Sequence, residues 1–288
     1  MVRGDFPVSL IHLLGILFAL ISAAMWGGGD FSGGLATRRM SPFQALTAGA
    51  VSGLVILLCL ALLLDEPIPS SADVLWSALA GVAATVSIAS LYYALAVANS
   101  AIVAPTSAVI GAAIPVLFGI LFQGLPKVTQ FFGFLAGLLG ILLVTRSASG
   151  TDLGDRRGLW SAIVAGIGFG GYFILIGQVQ PGAVFAPLIV SKIVTLLLCL
   201  AVLVMRRERL PSLRGIPIAL LAGILDAGGN IFYLLAQHSI RLDVAVVLSS
   251  MYPAFTVILA YFSLGERISA TQWAGVTLCI VAISLIAI

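Results

Sequence analysis

Gln130-Phe131-Phe132-Gly133 returns 142 residues later as Gln272-Trp273-Ala274-Gly275, and Tyr92-Tyr93-Ala94-Leu95-Ala96 returns as Phe232-Tyr233-Leu234-Leu235-Ala236. Gly15 matches Gly158 and Pro115 matches Pro253 at nearly the same separation. A constant offset over glycine, proline, glutamine and tyrosine positions means that one unit occurs twice. Around these anchors lie long apolar runs. The 288 residues are 61% hydrophobic and 9% charged, with a mean hydropathy of +1.19. An ordinary soluble domain is about 45–50% apolar and about 25% charged. So little polar surface cannot clothe a water-soluble monomer of this size, whereas lipid demands no such coat.

Apolar stretches long enough for a helix to cross roughly 30 Å of hydrocarbon number ten: 10–34, 43–64, 73–97, 101–123, 128–146, 158–178, 184–205, 215–237, 243–263 and 270–287. They are too long and too uniformly apolar for barrel strands, which alternate in segments of about ten residues. The expected fold is therefore an all-α polytopic membrane protein. Residues 1–146 form a first five-helix repeat, 147–157 a polar linker and 158–288 a second repeat. Five spans per copy force the second copy to enter the membrane the opposite way. The copies are then inverted-topology repeats around a central cavity, an architecture suited to carriers. Arg3 followed by Leu10 to Ala24 has the outline of a secretory leader, but a discarded leader would need no counterpart in the second repeat.

Several function classes drop out. The net charge of +3 comes from 14 basic and 11 acidic residues, scattered in short loops, so nothing could track nucleic-acid phosphates. Cys59, Cys199 and Cys279 sit in apolar runs without metal-ligand or Cys-x-x-Cys spacing. No metal or cofactor is expected, and no phosphate-binding loop for ATP is present. Gly27-x-Gly29-Asp30 matches the Gly-x-Gly-Asp pattern of membrane aspartyl proteases, but the other deep carboxylate, Asp226, lacks that family's Tyr-Asp context. A channel is the stronger rival, against which helices broken by glycine and proline argue for alternating access.

Ala24-Met25-Trp26-Gly27, the Tyr-Tyr-Ala-Leu-Ala segment, Tyr252-Pro253, Leu264-Gly265-Glu266-Arg267 and Gln272-Trp273-Ala274-Gly275 resemble the drug/metabolite transporter superfamily, EamA type. Within it the chain looks most like YddG-type amino-acid exporters. The resemblance spans the whole chain and implies a ten-helix monomer with a central cavity that exports amino acids or similar metabolites. Drugs, nucleotides and sugars are the alternative solutes. Two departures stand out: the acidic turn occurs only in the second copy, and a basic residue is found in the seventh span, as Lys192, and not in the second.

The loops after odd-numbered spans carry ten arginines, among them Arg38, Arg39, Arg156, Arg157, Arg206, Arg207 and Arg209, against Arg3, Lys127 and Arg241 on the other side. The positive-inside rule makes the odd loops cytoplasmic and puts both termini outside, in a bacterial inner membrane.

An ionisable group at membrane depth costs about 2.5–3.5 kcal/mol on insertion scales and so tends to face a cavity or a partner. Asp30, Lys192 and Asp226 qualify, and none has an ionisable counterpart in the other repeat. Scaffold features are duplicated, so unduplicated polar groups point to function; a structural Lys192–Asp226 ion pair is the competing expectation. Asn230 lies one helical turn beyond Asp226 on the same face, with Gly228-Gly229 between them for close packing or local unwinding. Trp26, Tyr172 and Tyr252 could offer rings and hydroxyls to a solute and its ammonium; for Trp26 an interfacial belt is the alternative. Trp26, Asp30, Tyr172, Lys192, Asp226, Asn230 and Tyr252 are the expected solute-binding residues, with Pro115 and Pro253 as gating kinks. Protons are a candidate coupling partner. His12 and His238, near span ends, are expected to be wet, and Glu266-Arg267 to brace the last turn.

Overall fold

The computed structural model describes residues 8–97, 100–145, 156–209, 216–265 and 268–287. All regular structure among them is helical: α1 (Val8–Thr37), α2 (Pro42–Leu63), α3 (Ser71–Val97), α4 (Ser100–Gln123), α5 (Val128–Thr145), α6 (Arg156–Ile176), α7 (Phe185–Met205), α8 (Ile216–Gln237), α9 (Leu242–Ser249), α10 (Tyr252–Leu264) and α11 (Ala270–Ala287). Ten spans are long and apolar enough to cross a bilayer, the ninth being α9 and α10 together. That span is broken at Ser250–Met251, and Pro253 lies in the first turn of α10, where a missing N–H costs nothing. Pro115 is buried within α4, which is one helix from end to end. The two matched prolines thus sit in different local structures. Arg3, Arg146, Arg214, Glu266, Arg267 and most of the 147–157 linker lie outside the described residues.

The packing repeats as the sequence does. α1 lies against α8 and α6 against α3; α2 meets α8 and α7 meets α3; α1 meets α10 and α6 meets α4. Exchanging the two halves turns each contact into its partner. Two pairs, α2–α7 and α5–α11, map onto themselves, so each pairs a helix with its own counterpart across the pseudo-two-fold axis. Both run antiparallel, as inverted repeats require.

Small residues allow these approaches. A Cβ on Gly133 would come within 2.6 Å of Ile286, and one on Gly275 within 2.6 Å of the Val144 backbone. The returning Gln-x-x-Gly motif therefore has two jobs. Its glycine seats the partner helix, and its glutamine closes a cap, Gln130 Oε1 accepting from Lys127 N at 3.2 Å and Gln272 Oε1 from Ser269 N at 3.0 Å. Gly223 is packed tighter still, with Gly49 O and Ser52 Oγ against the place its Cβ would take. Gly223→Val is expected to lower the apparent melting temperature in detergent by several degrees, at the ~1–3 kcal/mol cost of overpacking; scanning fluorimetry would show it.

Sequence reading missed a duplicated pair of helix ends. α2 and α7 finish in the same turn, with Asp65 (φ 48°) and Arg207 (φ 54°) left-handed. Glu66 N donates to Ala61 O at 3.0 Å, and Glu208 N to Leu203 O at 2.9 Å, the long bond of a Schellman motif. Glu66 and Glu208 are again 142 apart. The Glu66 carboxylate accepts from Val184 N (2.7 Å), Phe185 N (2.8 Å) and Ala186 N (3.2 Å), the first turn of α7. At the opposite end of the pair, Glu208 accepts from the Ser41 hydroxyl at the start of α2, Gln44 Nε2 donates to Arg209 O at 2.7 Å, and Arg206 lies 4.9 Å over the Phe43 ring.

The two clasps differ in what they supply. Val184 offers α7 no side-chain cap, so Glu66 is a borrowed one, whereas Ser41 and Gln44 already close a capping box on α2. Glu66→Ala is expected to destabilise the protein by about 1 kcal/mol and Glu208→Ala by less, read as the difference in melting temperature between the two variants.

Candidate functional site

A cavity of about 530 Å³ lies between the halves. On α1 its lining runs from Trp26 to Thr37, the last residue of the helix; on α2 it begins at Ala45, near the first turn, and on α4 at Ser107. The cavity thus extends from mid-membrane to the face carrying the odd-numbered loops. At its inner end stand Trp26, Phe173, Asn230, Ser250 and Tyr252.

Every solute-binding residue expected from the sequence lines this space: Trp26, Asp30, Tyr172, Lys192, Asp226, Asn230 and Tyr252. α1, α6, α7, α8 and the start of α10 each bring at least one. Lys192 Nζ donates to Asp226 Oδ2, so the ion pair is present, with the side chains 17% and 41% exposed respectively. Asn230 Nδ2 donates to the Asp226 carbonyl at 2.6 Å, and the Tyr172 hydroxyl donates to Asn230 Oδ1. Lys192, Asp226, Asn230 and Tyr172 are thus linked, largely through α8. Asp30 stands apart, facing the cavity without a hydrogen bond or ion pair among the described residues, but close enough to Asp226 for the carboxylates to repel one another. The charge on the wall is two carboxylates against one ammonium, with the ammonium already satisfied.

Trp26 is 9% exposed, and its ring lies 5.6 Å from Phe173, 5.8 Å from Tyr233 and 6.5 Å from Tyr252. It belongs to a buried aromatic floor and not to an interfacial belt. Tyr233 is scaffold, its hydroxyl donating to Phe173 O at 3.2 Å, while its sequence counterpart Tyr93 is half exposed on α3. α8 is helical throughout, so Gly228 and Gly229 do not unwind it; their bare backbones admit Met25 and Trp26. The dense glycines of α1 divide. Gly27 and Gly28 pack on α10 and α8, Gly29 packs on α8 and also lines the cavity, and Gly33 and Gly34 line the cavity.

The opposite face is shut. Residues Leu242 to Ser249 are buried throughout. Arg241 holds the buried Asp243 carboxylate at 2.7 and 3.1 Å and donates to the carbonyls of Gln123 (3.1 Å) and Gly124 (2.7 Å) at the end of α4. A cation there suits the negative end of the helix dipole. Leu242 N donates to Gln123 Oε1 at 3.1 Å, and Asp73 Oδ1 accepts from Gln180 N at 3.0 Å. His238 is half-buried, against the expectation of a wet residue: a ring nitrogen lies 3.3 Å from Val179 O, and burial pushes the imidazole below its usual range.

The solute-binding candidates were legible because they are unduplicated. The clasps and the Arg241–Asp243 lock were not, since charges near loops usually mean only solvated turns; the signal available was the second Glu at the repeat offset.

No curated protein matches the chain. A solved structure, described only as a crystal structure of a protein, is similar in fold, with a TM-score of 0.73 at 17% identity over 97% of this chain and 98% of that one. The EamA-like transporter family matches twice, at residues 13–146 and 156–288. The two matches take in the two sets of five spans whose contacts exchange across the pseudo-two-fold axis, and the chain belongs to the EamA-like transporter family.

Proposed function

We propose that the protein is a monomeric secondary exporter of amino acids, aromatic or otherwise apolar ones foremost, working by alternating access. The observation that carries this is the Lys192–Asp226 pair beside Asp30, which has no partner among the described residues, set in a largely apolar, aromatic-floored cavity of about 530 Å³, within the size range of small-molecule sites. A zwitterion matches that wall. Its ammonium meets Asp30 and Asp226, and its carboxylate meets Lys192, with Tyr172 and Asn230 orienting it and Trp26 and Tyr252 walling the side chain. Inserting a zwitterion exchanges one ion pair for three, so desolvation of the solute is compensated where a lone charge would not be. Protons, drawn to the same carboxylates, are the candidate coupling ion.

The arginine-rich odd loops belong in the cytoplasm of a bacterial cell, with both termini outside. The cavity then opens inward, which is the loading state of an exporter. Pro253, at the break of the ninth span, and Pro115, inside its counterpart, lie where the two repeats would bend. The test is counterflow: proteoliposomes preloaded with one unlabelled amino acid are offered a panel of labelled ones, with and without a pH gradient. Saturable accumulation of apolar amino acids is expected. Accumulation of drugs, nucleotides or sugars in their place would move the solute class, and linear, unsaturable flux would point to a channel.

A further inference from the structure

Inverted repeats make a prediction about their own contacts. If the outward-open state is this state with the conformations of the two halves exchanged, a contact that maps onto itself persists, and a contact that maps to the other face must break on one side and form on the other. The α2–α7 clasps are of the first kind. Glu66 reaching the start of α7 maps onto Glu208 reaching the start of α2, and both are made at once, one at each membrane face. Their left-handed residues, Asp65 and Arg207, are non-glycine, a strained conformation that persists only where the surroundings hold the turn in place.

The Arg241 lock is of the second kind. It joins the α8–α9 turn to the end of α4 on the closed face. At the local repeat offset of 138–140, set by Tyr93 with Tyr233 and Pro115 with Pro253, Arg241 and Asp243 fall on the stretch Ala101 to Pro105, which has no charged residue. On that open face, Ser107, Ala108 and Gly111 of α4 line the cavity, while α9 opposite is wholly buried.

We infer that α2 and α7, clasped at both ends by Glu66 and Glu208, are the fixed axis about which the halves rock, and that the Arg241–Asp243 contact with Gln123 and Gly124 is the gate that opens. This rests on alternating access through the cavity. The axis has a positioning role as well: Lys192 is carried by α7, and its Cε lies 3.6 Å from the place a Cβ on Gly53 of α2 would take. Glu66 and Glu208 therefore hold the cavity's ammonium at one depth in both states.

The test is pulsed electron–electron resonance on the full chain in nanodiscs. Cys59 is exposed and is replaced by alanine, while Cys199 and Cys279 are buried. Spin-label pairs at Leu64 and Pro181, and at Arg38 and Met205, report the two ends of the axis; a pair at Leu125 and Ser239 reports the gate. One distance is expected at each axis pair under every pH and solute condition, and two at the gate pair, with Arg241→Ala raising the longer population at least threefold. A second distance at either axis pair overturns the inference. So does a gate distance that is single and unmoved in Arg241→Ala. Counterflow separates this from the transport reading: the expected distances without counterflow of any solute would sink the transport reading and leave the axis standing, and counterflow with a moving α2–α7 pair would do the reverse.

Discussion

Asp30→Asn is expected to lower counterflow at least tenfold below wild type while leaving the melting temperature within a degree or two. The two readouts part because Asp30 has no hydrogen-bond or ion-pair partner to lose among the described residues. Its carboxylate faces the cavity among apolar and aromatic neighbours and repels Asp226, so neutralising it removes a repulsion and costs the fold nothing. What it removes is the free negative charge on the wall. A hydrogen bond to a charged group contributes about 1.5–3 kcal/mol, which corresponds to a roughly 10- to 100-fold loss of solute affinity. Counterflow beside scanning fluorimetry reads both. Wild-type transport in Asp30→Asn would remove this residue from the solute site.

Asp226→Asn is expected to behave differently, losing transport to the same degree and stability as well. Asparagine leaves Lys192 without its counter-ion. Breaking a buried pair costs about 3–5 kcal/mol, and the carboxylate's 41% exposure to the cavity brings the expected penalty down to about 1–2 kcal/mol. Removing both charges, as Lys192→Met with Asp226→Leu, is expected to restore the melting temperature, because no charge is then left unpaired, but not counterflow. Restored transport in that double variant would make the pair a strut and nothing more. Recovery of stability without transport separates its two roles.

Much of this arrangement can be read in the sequence. The ten spans follow from apolar length alone, and the inverted architecture from an offset that glycine, proline and glutamine share. The solute-site candidates follow from asymmetry: Asp30, Lys192 and Asp226 are expensive in lipid and have no counterpart in the other half. That Lys192 and Asp226 pair, and that Asp30 does not, depends on how α7, α8 and α1 are rotated, which the hydropathy of nearly all-apolar helices does not encode. Trp26 shows the same gap, since an aromatic residue within a span reads equally as belt or floor. Gly228 and Gly229 were open to unwinding or packing, and what decided between them was the bulk of Met25 and Trp26 on a helix 200 residues away in the chain. The break in the ninth span is two residues ahead of Pro253, while α4 runs on through Pro115; equivalent prolines do not dictate equivalent backbones. Glu66 and Glu208 were readable as a duplicated acid, but their meaning needed the antiparallel α2–α7 contact that brings each to the other helix's first turn.

The central claim is that solute passes through this cavity, and it can be tested by plugging its mouth. Thr37 ends α1 where the lining reaches the arginine-rich face. In a Cys59→Ala background, Thr37→Cys modified with a bulky, membrane-impermeant methanethiosulfonate from that face should lose counterflow at least tenfold and regain it on reduction. Full counterflow in the completely modified protein would contradict the account, since the solute would then be taking another route.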